Sequence, residues 1–183
     1  MIKEFNTTGS CNPAMHYMVD TSKKLAQIED FILRGKYFTI NRARQFGKTT
    51  TLKTLFRNLS EQYVVIPISF EGVGDLLFNK EESFCSKLKD IVETALKFSS
   101  WKEKSEVSRS VIRTASFDEL SDSITDFCMQ IEKPVLLLID EVDKSTDNQL
   151  FLNFLGMLRN KYLDRDLKGM NSTFHSVVLA GVY

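Results

Sequence analysis

An open α/β fold built on a mostly parallel sheet is the architecture this sequence predicts, on three observations. Short apolar runs alternate along the chain with segments of helical period. One run, Val135-Leu-Leu-Leu-Ile139, has no polar alternation, as a strand covered on both sheet faces requires. Two of the runs lead into polar turns, Gly47-Lys48-Thr49 and Asp140-Glu141, and open α/β sheets gather their ligands beyond the carboxyl ends of the strands.

The elements follow in order. Asp20 and Thr21 can cap a first helix whose Leu25, Ile28, Phe31 and Ile32 share one face, and Gly35 stops it. Tyr37 to Ile40 reads as a strand. After Gly47, the residues Leu52, Leu55, Phe56 and Leu59 fall at i, i+3, i+4 and i+7, the spacing of a helix with one buried stripe. Tyr63 to Phe70 is apolar and β-branched but contains Pro67, which cannot donate to a ladder and predicts an edge strand. Gly72 and Gly74 break the chain. A long helix from about Lys80 points Phe84, Leu88, Ile91, Val92 and Ala95 inward, and a polar excursion, Ser99 to Ser110, follows it.

Ser116-x-x-Glu119 is a capping box that starts a helix burying Leu120, Ile124, Phe127, Cys128 and Ile131, and Pro134 marks its end. The run Val135 to Ile139 should be the central strand. A further amphipathic helix carries Phe151, Phe154, Leu155, Leu158 and Tyr162, and a last strand runs from Ser176 to about Gly181.

Composition bounds the function. A length of 183 residues suits one domain, and 24 basic residues against 24 acidic ones leave no formal charge, which excludes a basic nucleic-acid coat but not a local patch. Apolar residues at 43% and charged residues at 26% match a soluble globular chain. Cys11, Cys85 and Cys128 have no zinc-knuckle or redox spacing and read as reduced thiols. With no spanning apolar run and no signal-peptide h-region, a cytoplasmic protein without membrane partners is expected.

The chemistry lies in the two turns. Where a strand turns into a helix, backbone N–H groups and the positive end of the helix dipole favour an anion such as phosphate. Gly47 allows close backbone approach, Lys48 offers an ammonium to β- and γ-phosphates, and the Thr49 hydroxyl suits the coordination sphere of Mg²⁺. A phosphate loop usually has a second glycine five residues before Gly47, where this sequence has Arg42. The loop Arg42-Ala-Arg44-Gln45-Phe46 must then wrap without it, and Arg42 and Arg44 are either phosphate clamps or solvated surface arginines. Asp140, at the end of the buried strand, is placed to hold Mg²⁺ through water, and Glu141 to polarise the attacking water; the alternative is an exposed turn shared with Asp143.

With both motifs placed, the chain resembles a P-loop ATPase of the additional-strand, catalytic-glutamate group, and more narrowly the prokaryotic AAA-like ATPase-domain proteins. The resemblance is carried by Phe5-Asn-Thr-Thr-Gly9, His16-Tyr-Met-Val-Asp20, Tyr37-Phe-Thr-Ile-Asn-Arg-Ala-Arg-Gln-Phe-Gly-Lys-Thr-Thr50, Leu137-Leu-Ile-Asp-Glu-Val-Asp143 and Val177-Val-Leu-Ala-Gly-Val-Tyr183. It implies a three-layer open sheet of the P-loop NTPase type without its last strand and lid, in which the final strand lies between the loop strand and the Asp-Glu strand and Tyr63 to Phe70 is at the edge. It implies ATP and Mg²⁺ as cofactors. Arg42, Arg44, Gln45, Phe46, Gly47, Lys48, Thr49 and Thr50 would hold nucleotide, Thr49 and Asp140 the metal, and Glu141 with Lys48 would be catalytic. It also places His16 to Asp20 near the base, although His16 and Tyr17 read equally as ordinary packing or surface residues.

Two parts of the family pattern are missing. The last strand offers only the Tyr183 hydroxyl as a polar sensor, and Arg159 and Arg165, the candidates for an arginine finger, read better as charges on a solvated face. The leading expectation is therefore one ATPase domain over residues 1–183, the N-terminal part of a longer protein, acting as motor or switch with a C-terminal domain, a protein partner or a second copy. The alternatives are a non-hydrolysing nucleotide-binding module and the ATPase part of a nucleic-acid-processing protein, the latter unsupported by charge.

Overall fold

The computed structural model describes residues 3–6, 11, 14–41, 43, 46–70, 80–97, 116–142 and 148–182. Its elements are α1 (Ser22–Leu33), β1 (Tyr37–Asn41), α2 (Lys48–Leu59), β2 (Val64–Ser69), α3 (Glu81–Lys97), α4 (Phe117–Gln130), β3 (Val135–Asp140), α5 (Gln149–Leu163), the short α6 (Arg165–Lys168), a 3₁₀ turn (Met170–Ser172) and β4 (Ser176–Gly181). The strands form one sheet in the order β1-β4-β3-β2, and every pair is parallel. This is the expected order, with the last strand inserted between the loop strand and the Asp-Glu strand.

Alternation along the strands builds three layers. All six residues of β3 are buried. Val135, Leu137 and Ile139 pack with Val64, Ile66 and Ile68 of β2 against Phe84, Leu120, Phe127, Phe151 and Phe154 from α3, α4 and α5. Leu136 and Leu138 point the other way, joining Val65, Val178 and Ala180 against Ile28, Ile32, Leu52 and Leu55 of α1 and α2. Helices on both faces leave no place for a polar residue in the central strand, which is why the run reads as continuously apolar. Pro67 lies on β2, which among the described residues pairs only with β3, so its missing N–H costs the ladder nothing on the outer side.

Local signals act as expected with two adjustments. Ser116 caps α4, its Oγ accepting from the Glu119 N–H at 3.2 Å. At α1 it is Asp20, not Thr21, whose side chain accepts from the following turn, from Ser22 N–H at 2.9 Å. Phe31, expected on the buried face of α1, is 47% exposed. It overhangs the β1 edge of the sheet, where it meets the Phe38 ring at 5.4 Å. The glycines 72 and 74, the polar excursion 99–110, Asp143 and Tyr183 lie outside the described residues.

A polar cluster ties down the end of the sheet where the parallel strands begin. Arg165 is 6% exposed and donates through Nη1 to His175 O at 2.9 Å and through Nη2 to Gly35 O at 2.6 Å. Its guanidinium lies 4.1 Å from the Tyr162 ring centroid and 5.2 Å from that of Tyr37. Gly35 has φ of 63°, and a Cβ there would lie 3.1 Å from His175 O and 3.2 Å from Arg165 Nη1, so both backbone conformation and space require glycine. Arg165 is thus neither a solvated charge nor a finger, because its partners immediately precede β1 and β4 while the two chemical motifs follow the opposite ends of the strands. Arg159 is exposed on α5.

Next to this cluster, His175 Nε2 lies 2.9 Å from Ile32 O and its ring 5.5 Å from that of Tyr63. Burial, reinforced by the Arg165 charge, holds the imidazole below its ordinary value of 6.5. A histidine kept neutral in the fold contributes stability that is complete above the unfolded value, near 6.5, and is lost as pH falls from there through the lowered folded value. Urea unfolding midpoints should therefore drop between pH 7.5 and pH 5.5, and the drop should be smaller in His175→Gln. An equal drop in both proteins would assign the acid sensitivity to other groups. Burial also pushes the Cys85 and Cys128 thiols up to about 12, so both are inert in the fold, as reduced structural cysteines should be.

Candidate functional site

The site is built where β1 and β3 end. Asn41 closes β1 in register with Gly181 of β4. The chain then reaches Gly47, which has φ of 76° and stands as the residue before α2. That left-handed conformation is open to glycine without steric cost, and it turns the chain so that α2 starts at Lys48 with its first-turn N–H groups facing the carboxyl end of the sheet. The helix is locked at its start by Thr51, whose N–H and Oγ1 both donate to Gly47 O, at 2.8 and 2.9 Å.

Lys48 is 7% exposed, and its Nζ folds back to Ala43 O at 3.4 Å. The ammonium is thereby held within the turn rather than extended into solvent. Thr49 Oγ1 donates to Asp140 Oδ2 at 2.7 Å, across 91 positions of sequence. This bond joins the two motifs directly. It can form because α2 packs over β4 and β3, which brings its first turn above the end of the central strand. Thr50 faces away from Asp140, its Oγ1 accepting from Cys11 N–H at 3.4 Å, and so fastens the N-terminal segment to α2. Phe46 is 69% exposed, and Arg42, Arg44 and Gln45 lie outside the described residues.

Asp140 is 8% exposed, and both its carboxylate oxygens are engaged, Oδ2 by Thr49 and Oδ1 by the Glu141 N–H at 3.0 Å. Glu141 has φ of 57°, the one non-glycine residue with positive φ among those described. Val142 behind it is completely buried. Nothing in the local sequence signals this left-handed backbone, which sequence reasoning missed. His16 forms a bridge with Glu4, and Tyr17 stacks its half-exposed ring 5.0 Å from Phe5.

The donor set suits a hard cation. Mg²⁺ takes oxygen ligands at 2.0–2.1 Å in an octahedron, which sets neighbouring ligand oxygens about 2.9 Å apart, and it is usually held by one or two carboxylates together with substrate phosphates. The Thr49 and Asp140 oxygens, 2.7 Å apart, match that spacing and that chemistry. Among the described residues no group of three or more His, Cys, Asp and Glu is gathered as a metal cage. Two clefts of about 270 Å³ lie away from these side chains, one between β1 and α5 and one along the acidic face of α4 around Asp122 and Asp126. Neither is lined by Lys48, Thr49, Asp140 or Glu141. Among the described residues no helix is long and apolar enough to cross a membrane.

No family model and no curated protein matches the sequence. Among solved structures, the chain is similar to a chain in the structure of Drosophila ORC bound to poly(dA/dT) DNA and Cdc6, with 14% identity and a TM-score of 0.39 over 88% of its own length and 24% of that chain. It is similar also to a chain in the structure of Drosophila ORC bound to DNA, with 15% identity and a TM-score of 0.42 over 88% of its own length and 25% of that chain. The chain thus spans about a quarter of the length of those it matches. The class that the chain's own fold defines is a three-layer α/β domain with a parallel sheet of the P-loop NTPase type.

Proposed function

We propose that this domain binds ATP with Mg²⁺ and hydrolyses it, as the motor or switch of a larger protein. The observation that carries the proposal is the 2.7 Å bond from Thr49 Oγ1 to Asp140 Oδ2, which sets a phosphate-loop helix start against a strand-end carboxylate at the carboxyl edge of a parallel sheet. The first-turn amides of α2 would receive the phosphates, with Lys48 turning from Ala43 O to neutralise the β- and γ-oxygens. Thr49 and Asp140 would hold the cation, which when bound would supply positive charge to offset that of the phosphates. Glu141 would orient the attacking water and take its proton. Adenine rather than guanine follows from the family resemblance and from the lack of an Asn-Lys-x-Asp motif.

Arg165 is committed to the far end of the sheet. Charge developing in the transition state is then left to Lys48, the cation and any help from Arg42 and Arg44, so turnover by the isolated chain should be slow.

Titration with an ATP analogue and Mg²⁺ tests the reading. Because Lys48 is buried rather than standing on an exposed loop, Lys48→Met, which keeps the apolar stem, is the suitable variant. Affinity should fall roughly 10- to 100-fold, the weight of a charged hydrogen-bonding group, while the melting temperature stays within a degree or two of wild type. Unchanged affinity together with a large loss of stability would make Lys48 structural and remove the proposal's phosphate contact.

A further inference from the structure

We propose that the Asp140 carboxylate is a two-armed latch that transmits occupancy of the cation position to the backbone of Glu141, making Asp140 a positioning residue for Glu141 in addition to a cation ligand. The inference rests on the site reading above for the identity of the cation, but its ligand-free half stands on geometry alone. One arm, Oδ2, accepts from Thr49 Oγ1 at 2.7 Å; the other, Oδ1, accepts from the Glu141 N–H at 3.0 Å. The carboxylate is 8% exposed at the end of a strand whose every residue is buried, so it has little freedom to move without moving its neighbours.

The second arm holds a costly conformation. An L-residue at φ of 57° crowds its Cβ against its own carbonyl, and glutamate, unlike glycine or asparagine, has no intrinsic compensation for it. Such a backbone persists only where the surroundings over-determine it. The chain is fixed on both sides of it: its own N–H is bonded to Asp140 Oδ1, and the next residue, Val142, is completely buried. The first of these is adjustable. If Oδ2 turned from Thr49 Oγ1 to a water held by the cation, Oδ1 would rotate or shift with it, and the strained peptide at 141 would follow. The Glu141 side chain would then take up its working position only when the cation site is filled.

The first test needs no ligand. Thr49→Val releases Oδ2 without touching residues 140 or 141, at a position that is solvent-exposed and tolerant of an isosteric change. The Glu141 amide resonance and its hydrogen-exchange rate should both change from wild type, while the amides of β2 do not. In parallel, glycine and alanine are compared at position 141. With Asp140 present, Glu141→Gly should melt higher than Glu141→Ala by on the order of 2–4 °C, the signature of a left-handed site, and the gap should close when Asp140→Ala is added. A Glu141 amide indifferent to Thr49→Val, or a Gly–Ala gap that is the same with and without Asp140, overturns the latch. If Asp140→Ala does not fold, the Thr49→Val measurement alone decides.

The second test adds ligand to the unsubstituted protein. A non-hydrolysable ATP analogue is titrated with Mg²⁺ and, separately, with EDTA, and amide shifts are followed. Shifts at Gly47 to Thr49 in both titrations, with a shift at Glu141 only when Mg²⁺ is present, are the expected result. Shifts at the loop with an identical Glu141 response in both overturn the latch and leave the nucleotide site standing. No shift at the loop in either titration overturns the proposed function, and with it the cation's part in the latch.

Discussion

Arg165→Met should be the most destabilising single substitution outside the apolar core, lowering stability by about 3 kcal/mol and the melting temperature by roughly 6–12 °C. Methionine fills much of the volume and keeps the contact with the Tyr37 and Tyr162 rings, but it leaves Gly35 O and His175 O without the two guanidinium donors that hold them at 2.6 and 2.9 Å. Arg165→Lys should recover little, because a single ammonium cannot fork between two carbonyls and stack on two rings at once. Nucleotide affinity in the folded fraction should stay within about twofold, since the cluster lies at the opposite end of the strands from Lys48 and Asp140. Thermal unfolding and an ATP-analogue titration on the same sample check both halves. A variant that melts normally but has lost turnover would return Arg165 to the role of an arginine finger.

The parts of the fold that were legible in the sequence are those whose cause is local. Val135 to Ile139 reads as a doubly covered strand because every side chain meets a helix layer, and Pro67 reads as an edge because a missing donor is tolerated only there. Ser116 reads as a cap because its hydroxyl reaches an amide three residues away. Gly47 was legible as the turn before a helix and Asp140 as a strand end, and the meeting of Thr49 with Asp140 follows from the strand order.

What was illegible depends on residues distant in sequence. Leu163-Asp-Arg-Asp-Leu167 looks like solvated surface, yet a single turn of helix carries Arg165 beneath Gly35, 130 positions away. Lys161 similarly looks like a polar helix face, but it is buried against α4, where its Nζ donates to Ser121 O at 2.8 Å and Thr125 Oγ1 at 2.6 Å, and burial holds its ammonium below the usual lysine range. The left-handed backbone of Glu141 has no sequence signature, because glutamate is not a residue that favours positive φ, and its N–H is tied to the Asp140 carboxylate at the end of the buried strand. Strained backbone of this kind gathers at functional sites, which is the reason to test Glu141 first.

Glu141→Gln is the substitution with the largest expected effect on activity. It keeps the side chain's size, its hydrogen-bonding reach and the left-handed backbone, and it removes only the negative charge that would take a proton from the attacking water. Asp140 retains its bonds to Thr49 Oγ1 and to the N–H of residue 141, so the cation position is untouched. ATP should bind the variant at least as tightly as wild type, because one negative charge near the γ-phosphate is gone, and turnover should fall by roughly 10²- to 10⁴-fold, the usual contribution of a general base. Equilibrium binding and single-turnover phosphate release, measured under conditions where the unsubstituted protein hydrolyses ATP, separate the two effects. Equal turnover in variant and wild type would take Glu141 out of the mechanism. Tight ATP binding by both with release from neither, in the presence of Mg²⁺, would instead establish a switch that works by occupancy alone, with the strained residue at 141 sensing the nucleotide rather than cleaving it.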